Sequence, residues 1–221
     1  MMIRTDENIK KDVVDQLFWD NRIPAEDVKV QVDKGVVTLT GNVPTFRSRS
    51  AVYTDTWCIN GVEDVNDYLT IIPPERLTIP SDKEIEVDIR KNLLWNPIID
   101  SSKIKVDVQD GKVALSGDVD LYWKKWEIED ITSEVIGVRS ITNNIVIVPT
   151  DNRVDREIAE DIKNSLERNR YVDVEKVTVE VEKGKATISG VASSNLARMH
   201  AKNATLFTPG VIDVDNEVVV A

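Results

Sequence analysis

One cysteine and one histidine occur in 221 residues. Cys58 alone excludes a disulfide within the chain. It reads as a small apolar side chain near a helix end, with no histidine near it in sequence to activate a thiol. The lone His200, in Ala197-Arg198-Met199-His200-Ala201-Lys202, rules out Cys/His metal clusters and leaves histidine-based catalysis a single candidate. It reads as a surface histidine on a helix. No apolar run approaches the ~18–20 residues of a spanning helix. A basic excess is missing as well: 28 Lys and Arg stand against 39 Asp and Glu, for a net charge of −11. Such a surface favours solubility and repels nucleic-acid phosphates. Any contact with anionic lipid must therefore be local. Met1-Met2-Ile3-Arg4-Thr5-Asp6-Glu7 lacks the apolar region and cleavage site of a secretory signal, so a cytoplasmic location is expected. Acidic pairs such as Glu63-Asp64, Asp118 with Asp120 and Asp213 with Asp215 read as solvated loops, none marked as a catalytic dyad or metal site. The composition thus predicts a non-enzymatic protein without cofactor or metal.

Glycine is scarce, and its placement is regular. The nine glycines all fall in one pattern, leaving none for a phosphate-cradling loop. Asp33-Lys34-Gly35-Val36-Val37-Thr38-Leu39-Thr40-Gly41 returns as Gln109 to Gly117 and again as Glu182 to Gly190. The offset is 76 residues from Gly41 to Gly117 and 73 from Gly117 to Gly190. A further Gly-Val follows each copy at Gly61, Gly137 and Gly210. A first helix precedes each copy, with Ile9, Val13, Leu17 matching Ile85, Ile89, Leu93 and Ile158, Ile162, Leu166. That i, i+4, i+8 spacing makes one apolar stripe. Thr5 and the capping box Ser81-Asp82-Lys83-Glu84 mark two helix starts, and Asp151-Asn152 is expected to open the third.

Alternating strands follow: Val28, Val30, Val32; Ile104, Val106, Val108; Val177, Val179, Val181. Period two with one apolar face predicts a half-buried strand. Lys34-Gly35, Asp110-Gly111 and Lys183-Gly184 are hairpin turns, and the returning strands are expected to end at Gly41, Gly117 and Gly190. A second helix is expected over 45–59, 121–136 and 193–207, with Gly61 and Gly137 as its C-terminal caps. A last apolar strand closes each unit. The fold class is therefore α+β: three tandem αββαβ units, each a three-stranded mixed sheet with two helices on one face. The expected domains are 1–74, 75–149 and 150–221, with the proline-rich Pro73–Pro80 as a semi-rigid spacer.

The order of amphipathic helix, [Val/Ile]-x-Val-x-Val, turn glycine, Val-x-Leu-x-Gly, helix, Gly-Val-x-x-Val-x-Asn and apolar strand resembles the BON domain. Val36–Gly41, Lys112–Gly117 and Gly137-Val138-Arg139-Ser140-Ile141-Thr142-Asn143-Asn144 carry the match, and three copies in register cover nearly the whole chain. The resemblance implies a compact αββαβ fold and a non-enzymatic module whose expected ligands are phospholipids or other envelope components. It also implies osmotic or envelope stress as the setting, and the periplasm as the alternative location.

What differs between copies carries the functional expectation. Tyr122-Trp123-Lys124-Lys125-Trp126 puts three aromatics and two lysines within five residues, a pattern suited to a membrane interface or a protein partner. Arg47 and Arg49, and Arg198 and Lys202, lie on acid-free stretches of second helices where anionic headgroups are tolerated. Tyr122, Trp123, Lys124, Lys125, Trp126, Arg198 and Lys202 are the candidate lipid- or partner-binding residues. Trp19 and Trp95 share a repeat position, where core packing or a shared contact between units is expected. The leading expectation is phospholipid-surface binding. The alternative is a protein-interaction scaffold or chaperone-like stress protein.

Overall fold

A computed structural model describes residues 4–74, 78–150 and 153–220. The expected helix opening at Asp151-Asn152, and Glu75-Arg76-Leu77 within the proline-rich spacer, lie outside these residues. The chain gathers into two compact units. One comprises Met1–Pro97, Val106–Leu115 and Glu129–Thr142; the other comprises Ile98–Lys105, Ser116–Ile128 and Asn143–Ala221.

The first unit begins with α1 (Asp6–Trp19), a 3₁₀ turn (Ala25–Asp27), β1 (Val28–Asp33), β2 (Val36–Val43), α2 (Phe46–Trp57) and β3 (Asp64–Ile71). Sheet order is β1-β2-β3, with β1 antiparallel and β3 parallel to β2. The parallel pair needs a crossover, which α2 supplies. Ile9, Val13 and Leu17 of α1 meet Val37, Leu39, Val65 and Leu69 of the sheet and Ala51 and Val52 of α2 in one buried cluster. Both helices therefore cover the same face. The other face carries exposed Lys29, Gln31, Asp64 and Thr70. α3 (Asp82–Trp95) opens on the expected capping box, with Ser81 and Glu84 bonded in both directions.

The second unit holds the same series as α5 (Asp155–Glu167), β7 (Val177–Glu182), β8 (Lys185–Ala192), α6 (Asn195–Leu206) and β9 (Asp213–Val220). Its sheet is ordered β7-β8-β9 with the same antiparallel and parallel pairing. α5 starts after Val154, which makes no side-chain cap. The middle series contributes β4 (Ile104–Gln109), β5 (Lys112–Val119), α4 (Tyr122–Ser133) and β6 (Ser140–Ile147), in a sheet ordered β4-β5-β6. The fold is α+β in three repeated αββαβ series.

Each hairpin turns on two residues with positive φ: Lys34 (50°) and Gly35 (77°), with close equivalents at Asp110-Gly111 and Lys183-Gly184. Positive φ at both central positions is the type I′ turn that matches strand twist. A contact between distant residues holds it. Asp6 at the start of α1 accepts from the Lys34 and Gly35 amides at 2.8 and 3.0 Å. Asp82 does the same for Asp110 and Gly111, and Asp155 for Lys183 and Gly184.

Two expectations are corrected. The returning strands do not end at the second glycine but run on to Val43, Val119 and Ala192. Gly190 pairs with Val177 inside the sheet, and a Cβ there would sit 2.0 Å from the Lys176 carbonyl oxygen. The glycine lets the preceding 3₁₀ turn lie on the strand. The second helices are also shorter than expected, and α2 ends at Trp57 with Cys58 as its cap, so Gly61 lies in the turn beyond.

Candidate functional site

The run Tyr122–Trp126 opens α4, and its members do different things. The Tyr122 ring packs against the buried cluster around α5 and α6 and meets the edge of Phe207 at 6.2 Å. Trp126 meets the same ring at 6.4 Å and remains 50% exposed. Trp123 is half-buried, with the Lys124 ammonium 5.8 Å from its ring centroid. Lys124 also pairs with Asp120 at 2.7 Å, and that bond holds the Asp120 carboxyl below its ordinary value. Lys125 is half-buried, and its carbonyl accepts from Asn143 at 3.2 Å. On α6, Arg198 is half-buried and Lys202 exposed. Tyr122 is thus chiefly a packing residue, while Trp126 and Lys202 face solvent.

The other acid-free helix is occupied by ion pairs. Arg47 pairs with Asp130, at 3.7 Å, and with Glu134. Arg49 binds Asp67 at 2.8 Å.

The exposed aromatic surface lies elsewhere. Trp19 and Trp95, expected in packing contacts, are each 78% exposed. Phe18 and Leu94 beside them are 66% and 73% exposed. Phe18 and Trp19 stand edge to face at 5.6 Å. The helical period supplies the reason. Leu17 and Leu93 end the buried stripes, and two residues further on lies about 200° around the helix, on the far side from the sheet. α3 carries Arg90 and Lys91 in the turn before Leu94-Trp95 and no acid after Asp88. α1 instead runs into Asp20. The third series has Glu167-Arg168 at this place.

An ionic cluster closes the end of the first series beside Ile23. Arg22 donates from Nε to both Asp20 oxygens at 3.0 and 2.9 Å and lies 3.9 Å from Asp55. Asp20 is lowered to about 2, chiefly by its bond to Arg22. Asp55 is raised, chiefly by burial, although Gln16 donates to it at 3.4 Å. Burial also raises the Cys58 thiol, the opposite of what a reactive thiolate requires. At the matching end of the third series, Tyr171 stacks on His200 at 4.4 Å. Among the described residues, no three His, Cys, Asp or Glu side chains are placed to hold a metal ion. Nor is any described helix long and apolar enough to cross a membrane.

The repeated αββαβ series has a known counterpart. A family model described as the BON domain matches residues 5–73, 81–149 and 154–221. The chain belongs to the BON domain family. Each match holds one complete helix-strand-strand-helix-strand series of this BON-domain chain. Osmotically-inducible protein Y of Escherichia coli (strain K12) is 30% identical over 128 residues, which are 57% of this chain and 64% of that protein. The match therefore spans just under two thirds of that relative's length. Two solved structures of CdsD, described as a structural protein of the type III secretion system of Chlamydia trachomatis, were also found. They are 16% and 15% identical, with a TM-score of 0.26 each. The first alignment covers 96% of this chain and 91% of CdsD; the second, to the C-terminal domain, covers 99% and 100%.

Proposed function

We propose that this BON-domain chain is a non-enzymatic stress-response module that docks on anionic phospholipid surfaces through exposed helix ends, chiefly Leu94-Trp95 of α3. The observation that carries this reading is the 73% and 78% exposure of those two side chains. Monomeric proteins seldom expose adjoining large apolar side chains without a use for them. Trp suits the boundary between headgroups and acyl chains, with an apolar ring and a polar N–H. Sinking the indole alone removes roughly 150 Å² of apolar surface from water, on the order of 4 kcal/mol by area. Lys91, exposed one turn earlier, adds about 1 kcal/mol near an anionic surface. Phe18-Trp19 offers a second, weaker end, since Asp20 follows it. Trp126 and Lys202 are lesser candidates on the same reasoning. The stress setting is supported by the printed name of the E. coli relative.

Flotation of the full chain with phosphatidylglycerol vesicles tests the reading. Binding is expected at low salt and reduced at high salt, and Leu94→Ala with Trp95→Ala should abolish most of it without loss of folding. Trp123→Ala with Trp126→Ala should have the smaller effect. Full binding by the Leu94/Trp95 variant would overturn the assignment. Absence of vesicle binding by the unaltered chain would leave the exposed ends to a protein partner.

A further inference from the structure

The three series share most of their core positions, and three of the differences fall together in space. Val43 and Val119 correspond to Ala192, Val52 and Ile128 to Ala201, and Ile23 and Ile99 to Val172. All three changes remove volume at one end of the third series. Ala192, Ala201 and Val172 line a cavity of ≈ 450 Å³ there. In the first series Arg22 and Asp55 close this end, linked through Asp20. Their counterparts in the third are Tyr171 and Ala204, which cannot form that ion pair. Missing methylenes in a packed core ordinarily cost stability in proportion to the void they leave. A void of this size, open at a charged rim, falls in the range of small-molecule sites.

The rim gives the ligand's chemistry. Lys176 is paired with Asp173 at 3.0 Å, so those two charges offset each other. Arg170 remains as the rim's net positive charge, its guanidinium 5.2 Å from the Tyr171 ring centroid. α6 begins beside the cavity, capped by Ser194, and has no acidic residue along its 12 residues. The lining is mixed: Val172, Val177, Ala192, Ala197 and Ala201 give it an apolar side, and Arg170 lies among the polar residues of the other.

We propose that this cavity binds a single small anionic amphiphile: a carboxylate with a compact aliphatic body, taken up as a monomer from solution. The carboxylate would lie toward Arg170, and the aliphatic body would fill the space left by Ala192 and Ala201. This goes beyond surface docking and does not depend on the exposed end of α3.

Sodium decanoate, titrated into the full chain below its micelle-forming concentration and without vesicles, tests the proposal by calorimetry. Saturable one-to-one binding is expected. Ala201→Ile restores the residue that α4 accommodates as Ile128, and Ala192→Val restores Val43 and Val119. Each should weaken binding at least tenfold while leaving the melting temperature unchanged or higher. Arg170→Gln should weaken decanoate several-fold and leave decanol binding unchanged. The Leu94/Trp95 variant should bind decanoate like the unaltered chain, which separates this site from the vesicle-docking surface. Failure of the unaltered chain to bind, equal binding by a folded Ala201→Ile or Ala192→Val chain, or equal affinity for decanol and decanoate would each overturn the proposal. Binding only to phosphatidylglycerol vesicles, and not to monomeric decanoate, would overturn it too.

Discussion

Replacing Asp82 with alanine isolates the contact that ties a helix start to a hairpin turn. The carboxylate accepts from the Asp110 amide at 2.8 Å and the Gly111 amide at 2.9 Å. α3 keeps its start in the variant, because Ser81 and Glu84 form the capping box without Asp82. The measured loss therefore reports chiefly on the turn. A hydrogen bond to a charged group contributes about 1.5–3 kcal/mol. Asp82 is half-exposed, so the lower end applies to each bond and the pair comes to about 3 kcal/mol. Loss of an anion from the first helical turn adds about 0.3–1 kcal/mol. Asn is not a neutral replacement, since its amide nitrogen would face one of the two N–H donors; about half the loss is expected. Urea unfolding followed by circular dichroism gives the free energies, and amide exchange at Asp110 and Gly111 should quicken in both variants. A loss below about 0.5 kcal/mol for Asp82→Ala, with unchanged exchange at those amides, would refute the reasoning.

Asp55→Asn should raise stability near neutral pH. The folded-state carboxyl is raised by burial, so the folded chain favours its protonated form and loses stability as pH climbs from 3.8 through that raised value. The variant should lack this decline in urea midpoints measured between about pH 4 and 7. Asp20 has the opposite sign: lowered to about 2 from 3.8, it stabilises above the ordinary value and loses that contribution as pH falls toward 2, so Asp20→Asn should show its deficit at neutral pH. Gly190→Ala drives a Cβ to 2.0 Å from the Lys176 carbonyl at a φ of +128°, and a cost of about 3 kcal/mol or more should appear as early proteolysis of the third series. Thr56 is fully buried and its hydroxyl has no hydrogen-bond partner among the described residues, so Thr56→Val should be neutral or stabilising by about 1 kcal/mol in the same unfolding assay.

The repeat was legible because local physics writes it into short stretches. Ile9, Val13 and Leu17 recur at helical spacing and are buried as a stripe; Lys34-Gly35 has the residues a type I′ turn needs. Other features depend on residues far apart in sequence. Nothing in Asp6 as an acidic first-turn residue says that its partners lie 28 and 29 positions on. Gly41 looked like a strand end because the carbonyl that excludes a side chain there belongs to Asp27. Trp19 and Trp95 are a different case, since their exposure was readable. The stripe that buries Leu17 and Leu93 turns the residues two places later outward, and the period outweighs the general preference of Trp for cores.

The differences among the three series follow from which positions the common scaffold leaves free. Residues beyond the end of a buried stripe touch little else, so Phe18-Trp19, Leu94-Trp95 and Glu167-Arg168 can differ without disturbing the sheet. Positions under the helices are constrained by volume. Ala186 in place of Val37 and Val113 stays fully buried, because its neighbours enclose it on every side. Ala192 and Ala201 are buried as well, but they border the hollow at the end of the third series. On the two proposals above, apolar helix ends in the first two series and a cavity in the third would be alternative uses of one fold: a surface contact where substitution is free, and a pocket where core volume is lost.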